Sequence, residues 1–226
     1  MKDSERSQTE RTTRILIVDD HPLIRESLKR LVQGESGLSV CGEAEDREQA
    51  LTAVVTTQPH LVILDLSLKN SHGTELIRDL RDHYPKVLQL VLSMYDELLY
   101  AERAIRAGAH GYITKQEAPA KILAAIRHVL KGEIYWSEKA AVRVASKITR
   151  RSGSKNNFYE DILTDREIQV FEMIGIGKST RQIAASLHID TSTVETYRAR
   201  IKDKLNFNDT SELLQQAIRW SNSPKM

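Results

Sequence analysis

The run Arg14-Ile-Leu-Ile-Val-Asp-Asp20 is the most informative part of the sequence for the fold, because four apolar residues are followed at once by two carboxylates. Four consecutive apolar residues are typical of a strand buried on both faces, and the apolar residues from Leu23 to Leu31 recur at helical spacing. The same strand-helix unit recurs at 38–55, 61–80, 87–107 and 111–130. Strands separated by helices pair in parallel, so the sequence predicts a five-stranded, doubly wound α/β domain.

A different pattern follows residue 131. Residues 137–150 can form one helix, and the polar, turn-rich segment 151–157 is typical of a linker. Further along there are no strand-like runs, and helical segments are predicted near 165–174, 180–187, 192–205 and 210–220. The second domain is therefore predicted to be a small all-α unit. The predicted division is a disordered N-terminus at 1–13, an α/β domain at 14–131, a linker with a helix at 132–162, the all-α domain at 163–220 and a tail at 221–226.

Composition and charge narrow the class of protein. With 226 residues and 40% hydrophobic content, the chain is long enough for two globular domains. The polar N-terminus lacks the apolar stretch of a signal peptide and no later run approaches a membrane span, so we expect a cytoplasmic protein without a membrane partner. The single cysteine, Cys41, suits a reducing compartment. Residues 132–226 carry 15 Lys and Arg against 12 Asp and Glu, which is weak support for a nucleic-acid partner.

Polar residues stand at the predicted C-terminal ends of four strands. Asp19 and Asp20 end the first strand. Asp65 ends the third strand, Ser93 ends the fourth, and the fifth runs into Lys115. In a parallel sheet these ends share one edge, so the five side chains are expected to converge on one site. Three close carboxylates repel one another and favour a hard cation with oxygen ligands, for which Mg²⁺ is the predicted cofactor.

Asp65 is the predicted phosphoacceptor, because it follows a fully apolar strand, whereas Asp19 and Asp20 are adjacent and better placed to hold the metal. The cation neutralises an incoming phosphoryl group, a carboxylate attacks phosphorus, and Lys115 and Ser93 engage phosphoryl oxygens. Each residue alone has a simpler explanation: an Asp after a strand usually caps a helix, a lone Lys is a surface charge, and a Ser forms turns. Their joint placement at successive strand ends favours the functional interpretation.

The Asp-Asp pair, the Asp after a strand, the Ser and the run Gly111-Tyr-Ile-Thr-Lys115 resemble the receiver domain of two-component response regulators. The resemblance covers the predicted α/β domain. It implies a flavodoxin-like strand order, phosphotransfer from the histidine of a sensor kinase to Asp65, and a metal shell completed by the backbone carbonyl of Ser67. It also implies a switch in which Ser93 moves toward the phosphoryl group and the aromatic Tyr112 follows.

The C-terminal domain contains two short predicted helices joined by a tight turn, which indicates a helix-turn-helix. Thr164 with Glu167 three residues later predicts a capping box at the start of the domain's first helix. The tight turn is His188-Ile-Asp190, and either Thr191 or Ser192 is expected to cap the helix after it.

The third helix of this domain has one apolar and one polar face. Val194, Ile201 and Leu205 form the seam toward the core, so the opposite face is the one that a major groove would meet. Its basic residues can pair with phosphates, whereas Glu195 and Thr196 near the helix N-terminus can reach base edges. A solvated basic helix with (i, i+4) pairs explains the spacing equally well. The predicted DNA contacts are Thr180, Arg181, Thr193, Glu195, Thr196, Tyr197, Arg198, Ala199, Arg200, Lys202 and Lys204.

The runs Leu163-Thr-x-Arg-Glu167, Thr193-Val-Glu-Thr-Tyr197 and Ile201-x-x-Lys-Leu205 are similar to the LuxR-type helix-turn-helix. With the receiver, this domain order resembles the NarL/FixJ family of response regulators. The resemblance implies four helices, of which the third reads double-stranded DNA and the fourth helps a homodimer form on a two-fold operator. It also implies control of transcription, with RNA polymerase a candidate partner. Many relatives have Lys where Glu195 stands, and a carboxylate there can instead accept from a cytosine amino group.

Two other functions fit part of the sequence. A metal-dependent phosphohydrolase could use Asp65 as a covalent nucleophile, but no separate general acid or further Asp/His cluster accompanies the site. We therefore expect no enzyme activity beyond slow self-hydrolysis of the acyl phosphate. A receiver whose tail binds RNA or protein is also compatible with the basic third helix, and salt-dependent retention of duplex DNA separates that alternative. From the order of the domains, we expect the receiver to mask the third helix until phosphorylation.

Overall fold

The structure is a computed structural model that describes residues 12–69, 71–142 and 158–223. Several predicted features fall at least partly outside these ranges: the N-terminal segment up to residue 11, the polar linker at 151–157, and the end of the C-terminal tail. The helix predicted over 137–150 is described only in part, and residues 138–142 are helical.

The N-terminal domain alternates strands and helices. Its elements are β1 (Thr13–Val18), α1 (Pro22–Gln33), β2 (Leu38–Ala44), α2 (Arg47–Thr57), β3 (Leu61–Leu64), β4 (Ser67–Leu68), β5 (Ser71–His72), α3 (Gly73–His83), β6 (Leu88–Ser93), α4 (Glu97–Ala107), β7 (Gly111–Thr114) and α5 (Pro119–Leu130). Five of these strands form one parallel sheet in the order β2-β1-β3-β6-β7. The predicted flavodoxin-like, doubly wound architecture is therefore confirmed.

The central strand β1 shows why the sheet needs apolar residues at successive positions. Ile15 and Ile17 point into the core beneath α1 and α5, whereas Leu16 and Val18 point into the core beneath α2, α3 and α4. All four side chains are fully buried. Each such burial stabilises the fold by roughly 1.5–3 kcal/mol, so a polar residue on either face would be costly.

A small antiparallel hairpin, made of β4 and β5, follows Asp65 and was not predicted from the sequence. Gly73 makes its return possible, because a Cβ at this position would lie 2.3 Å from the Asp65 carbonyl oxygen. The Gly73 amide also donates to the Leu66 carbonyl at 2.9 Å. The hairpin therefore carries Ser71 and His72 to the surface that meets the second domain.

The C-terminal domain contains α6 (Phe158–Ile162), α7 (Asp165–Gly175), α8 (Thr180–Leu187), α9 (Thr191–Leu205) and α10 (Thr210–Ser221). The predicted all-α domain with a helix-turn-helix, formed by α8 and α9, is confirmed, and α6 is an additional short helix. The predicted capping box is present, with Thr164 accepting from the Glu167 amide and Glu167 accepting from the Thr164 amide. Within the described ranges, no helix combines the length and apolar content needed to cross a bilayer.

The turn between α8 and α9 differs in one respect from the prediction. His188 ends α8 in the left-handed region, with φ 52° and ψ 45°, and its amide donates to the Ala184 carbonyl. The expectation that Thr191 or Ser192 caps α9 is wrong, because the N-cap is Asp190 and its side chain makes no capping hydrogen bond. Helix α9 begins at Thr191, one residue before the predicted start at 192, because the backbone bend is completed at Asp190.

Candidate phosphorylation site and DNA-reading helix

The C-terminal edge of the parallel sheet carries a buried acidic cluster. Asp19 and Asp20 follow β1, Asp65 follows β3, and each is less than a tenth exposed. The Lys115 Nζ, after β7, lies 2.6 Å from Asp19 Oδ2 and 2.8 Å from Asp65 Oδ2. These side chains come from distant parts of the sequence, and they meet because the strands that carry them run in parallel.

Burial and charge act in opposite directions on the groups of this cluster. Burial raises the pKa of Asp65, and the nearby Lys115 ammonium only partly offsets that effect. Burial lowers the pKa of Lys115, but the carboxylates of Asp65 and Asp19 outweigh it, so the pKa of Lys115 is raised. The ammonium therefore stays charged and holds the two carboxylates together.

The donor set of the cluster fits a hard divalent cation. Single ligand atoms of Asp19, Asp20, His21 and Asp65 all lie within 4.8 Å of one another. In the part of the chain that the structure describes, Asp20 Oδ1 and Asp65 Oδ1 are buried without a hydrogen-bond partner. Buried carboxylate oxygens without partners are costly, and a cation such as Mg²⁺ takes oxygen ligands of this kind.

A residue that sequence reasoning missed, Tyr95, connects three of the predicted site residues. Its amide donates to Ser93 Oγ at 3.4 Å, and its carbonyl accepts from the hydroxyl of the buried Tyr112 at 3.0 Å. Its own hydroxyl lies 2.7 Å from Ser67 Oγ, and burial raises the pKa of Tyr95 to about 12. The only signal in the sequence was an aromatic residue two positions after Ser93.

Arg103 of α4 forms the first polar link between the domains. Its guanidinium donates to the Asp165 carboxylate, to the Glu160 carbonyl at 2.6 Å and to the Leu163 carbonyl at 3.0 Å. Burial disfavours the charged form of Asp165, but the opposite charge and hydrogen bond of Arg103 contribute to a lowered pKa of that carboxyl. One receiver side chain therefore grips three groups at the start of the C-terminal domain.

The second link is centred on the fully buried His72 of the hairpin. Burial lowers the pKa of His72 to about 3, so the ring is neutral at ordinary pH. The Gln169 amide nitrogen lies 2.7 Å from His72 Nε2, and its oxygen accepts from Arg166 at 3.0 Å. On the other side of the ring, Nδ1 accepts from the Thr74 amide at 3.2 Å and lies 2.6 Å from Thr74 Oγ1. Arg166 also donates to the Ser71 carbonyl at 2.6 Å, which completes the contact.

The outer face of α9 carries most of the predicted DNA contacts. The exposed members are Arg181, Glu195, Thr196, Ala199, Arg200 and Lys204, and the partly buried ones are Thr180, Thr193, Tyr197, Arg198 and Lys202. Thr180 Oγ1 donates to Glu195 Oε1 at 2.8 Å and accepts from Arg198 at 3.3 Å. Glu195 is therefore hydrogen-bonded within its own domain, although its side chain is 59% exposed.

Three of the predicted contacts have other surroundings. Lys204 pairs with Glu167 at 2.7 Å, next to the capping box of α7. Tyr197 and Arg200 line a cleft of about 470 Å³ that the receiver closes on its other side, with Arg78 and Arg103 among its lining residues. In this arrangement part of α9 faces the receiver rather than open solvent.

A buried Asp cluster with a lysine, set on a doubly wound sheet and followed by a helix-turn-helix, defines a receiver joined to a DNA-binding domain. Comparison with known families supports each half separately. The family described as response regulator receiver domain matches residues 15–127, and the family described as bacterial regulatory proteins, luxR family, matches residues 161–217.

Known proteins are similar along nearly the whole chain. The transcriptional activator protein ExaE of Pseudomonas putida is 40% identical over 205 residues, which cover 90% of this chain and 95% of ExaE. Response regulator UvrY of Escherichia coli K12 is 31% identical over 205 residues, which cover 91% of this chain and 93% of UvrY. The chain therefore belongs to the NarL/FixJ family of two-component response regulators. Because this is a family of transcription regulators rather than enzymes, the phosphohydrolase alternative is excluded.

Solved structures agree with the fold. A LuxR-family two-component response regulator from Aurantimonas sp. SI85-9A1 has 34% identity and a TM-score of 0.58, covering 62% of this chain and 99% of its own. RcsB of Salmonella typhimurium has 23% identity and a TM-score of 0.62, covering 92% of this chain and 98% of its own. The second likeness extends the agreement in fold across both domains.

Proposed function

We propose that Asp65 accepts a phosphoryl group from a sensor histidine kinase and that this transfer controls the binding of α9 to duplex DNA. The observation that carries the proposal is the buried cluster in which Lys115 contacts both Asp19 and Asp65. A carboxylate oxygen of Asp65 attacks phosphorus, the bond from phosphorus to the kinase histidine breaks, and the histidine nitrogen keeps the electron pair.

Asp19, Asp20, Asp65 and the backbone carbonyl of Ser67 are the proposed ligands of Mg²⁺. The two buried carboxylate oxygens without partners support this assignment. When bound, the ion supplies positive charge that neutralises the phosphoryl oxygens. Lys115 Nζ adds a second positive charge, which would leave Asp19 for the phosphoryl group once transfer has occurred.

A chain of contacts leads from the acceptor site to the domain interface. Ser93 is bound by the Tyr95 amide, and the Tyr95 ring packs against Tyr100 of α4 with 4.9 Å between ring centroids. Arg103 lies about one turn further along the same helix. We expect movement of Ser93 toward the phosphoryl group to displace Tyr95 and Tyr112. Their displacement would shift α4 and weaken the hydrogen bonds that Arg103 makes with the C-terminal domain.

The unphosphorylated receiver is proposed to restrain α9. Tyr197 and Arg200 line the cleft against the receiver, so a duplex cannot meet the whole outer face of α9 until the domains separate. Helix α10, on which Leu214 and Ile218 are exposed one turn apart, is the proposed surface for pairing two copies on an operator. RNA polymerase is the proposed partner at the promoter. A cytoplasmic location is proposed as well, and the free thiol of Cys41 is consistent with it.

The first test measures phosphorylation directly. The full chain is treated with acetyl phosphate and Mg²⁺, and intact mass is compared for the wild type and Asp65→Ala. We expect one phosphoryl group on the wild type and none on the variant. No gain in the wild type would contradict the assignment of Asp65, and a gain in both proteins would place the acceptor elsewhere.

The second test measures nucleic-acid binding on the same samples. We expect phosphorylated wild type to bind a selected DNA duplex more tightly than the unphosphorylated chain, with affinity falling steeply as salt is raised. Asp65→Ala should stay at the unphosphorylated level under the same treatment. Preference for an RNA of the same sequence, or equal DNA affinity before and after phosphorylation, would overturn this part of the proposal.

A further inference from the structure

The turn of the helix-turn-helix touches the acidic cluster of the receiver. His188, the residue that ends α8, places its Nε2 3.4 Å from Asp20 Oδ2. The Asp20 side chain is only 2% exposed, whereas the His188 side chain is 49% exposed. A residue of the DNA-binding domain therefore stands between solvent and a carboxylate of the proposed metal site.

The two oxygens of Asp20 face imidazoles rather than strong hydrogen-bond donors. His21 Nδ1 lies 2.6 Å from Asp20 Oδ1, yet that oxygen has no aligned hydrogen bond from any described residue. His188 lies against the other oxygen, Oδ2. A cation bound to this carboxylate needs the space that the imidazoles occupy, because Mg²⁺ demands near-octahedral geometry and keeps several of its waters.

We propose that His188 competes with Mg²⁺ for Asp20, so that loading the receiver with metal weakens the contact between the domains before any phosphoryl transfer. The inference rests on the proposed assignment of Asp20 to the metal site and adds a residue from the other domain. Competition of this kind is reciprocal. The closed arrangement lowers the affinity for Mg²⁺, and bound Mg²⁺ lowers the ratio of closed to open molecules by the same factor.

The size of the effect follows from the exposure of His188. Because one partner of the pair is half exposed, we expect the pair to contribute as little binding free energy as other solvent-screened pairs. That free energy corresponds to about a two- to fivefold change in apparent Mg²⁺ affinity. Larger effects are not expected, because the links made by Arg103 and Gln169 hold the domains together independently of this turn.

The test titrates the unphosphorylated full chain with Mg²⁺ alone by isothermal calorimetry at constant pH. His188→Asn removes the imidazole and keeps a residue that tolerates the left-handed backbone at φ 52°. The matched control is His128→Asn, at the end of α5, because this imidazole pairs with Glu133 and makes an edge-to-face contact with Tyr135. We expect about two- to fivefold tighter Mg²⁺ binding in His188→Asn and no change in the control.

A second measurement on the wild type does not depend on that variant folding well. Amide hydrogen exchange is followed for residues 163–172 and 185–192, which contain the interface and the turn, with and without Mg²⁺. We expect Mg²⁺ to speed exchange in both segments and to have no such effect in Asp20→Asn. Unchanged exchange in the wild type, or equal Mg²⁺ affinity of wild type and His188→Asn, would overturn the inference.

Failure of this inference is distinguishable from failure of the proposed function. A wild type that gains a phosphoryl group from acetyl phosphate, while His188→Asn binds Mg²⁺ no more tightly, refutes the role of His188 and leaves the function standing. A wild type that neither binds Mg²⁺ nor gains a phosphoryl group refutes both.

Discussion

Arg103→Met is the substitution expected to separate the two domains without phosphorylation. Methionine keeps the length and apolar stem of the side chain but removes the guanidinium that donates to the Asp165 carboxylate and to two backbone carbonyls. Asp165 keeps a hydrogen bond with Thr74 and a distant pair with Arg78, whose nearest nitrogen is 3.9 Å from its Oδ2. The closed arrangement loses its main ion pair, whereas the open arrangement loses nothing comparable.

The magnitude follows from the burial of Asp165, whose side chain is only 9% exposed. Removing one partner of a buried ion pair costs about 3–5 kcal/mol, and the lower end applies because Arg78 remains and Arg103 is itself partly exposed. A change of about 3 kcal/mol shifts the equilibrium between closed and open arrangements by a factor on the order of 100. Unphosphorylated Arg103→Met should therefore bind DNA nearly as tightly as phosphorylated wild type.

The assay is fluorescence anisotropy of a labelled duplex selected with phosphorylated wild type, applied to unphosphorylated proteins. The matched control is Arg106→Met on the same helix, because Arg106 is 78% exposed and pairs with Glu102 one turn away. We expect the control to bind like unphosphorylated wild type. Arg103→Met must first show a cooperative thermal melt, which establishes that it is folded. If it then binds DNA as weakly as unphosphorylated wild type, the contacts of Arg103 do not restrain α9 and the reasoning is refuted.

Three further predictions concern stability, pH and base preference. Gly73→Ala should lower the unfolding free energy by about 1–3 kcal/mol, since its Cβ meets backbone at 2.3 Å. Gly34→Ala, with φ −72° and no contact under 3.5 Å, should be neutral or slightly stabilising in the same thermal melt. Because burial lowers the pKa of His72 to about 3, protonation of the unfolded chain lowers the stability of the fold as pH falls from 6.5 toward 3. The free energy of urea unfolding should be about 1.4 kcal/mol lower at pH 5.5 than at pH 8, a loss that His72→Gln lacks. Glu195→Gln should reduce discrimination at one C·G pair by about 1–3 kcal/mol, measured over duplexes with single base changes, and an unchanged preference would show that Glu195 does not read a base.

The sheet and the acidic cluster were predictable because short segments of the sequence contain the pattern that produces them. Fully apolar runs such as Ile15 to Val18 are typical of strands buried on both faces, and parallel pairing brings their ends together. The hairpin at 67–72 was not predictable, since two-residue strands have no periodicity. Leu23 fits the apolar spacing of α1 and yet is 82% exposed. The domain interface was also hidden, because Arg103 looks like an ordinary solvated residue until its partner surface is known.

Helix α7 is the part of the domain interface that is hardest to predict from the sequence, and its buried polar residues explain why the interface can act as a switch. Asp165, Arg166, Glu167 and Gln169 are all buried although they are polar, since several of them face the receiver or its hairpin. Buried ion pairs return little more than they cost in desolvation, so an interface built on them is held closed by a small net free energy. A continuous apolar interface of the same size would be harder to open. Reversing a two-state equilibrium from 1:99 to 99:1 takes about 5.5 kcal/mol, and a polar interface leaves that change within reach of one phosphoryl group and one metal ion.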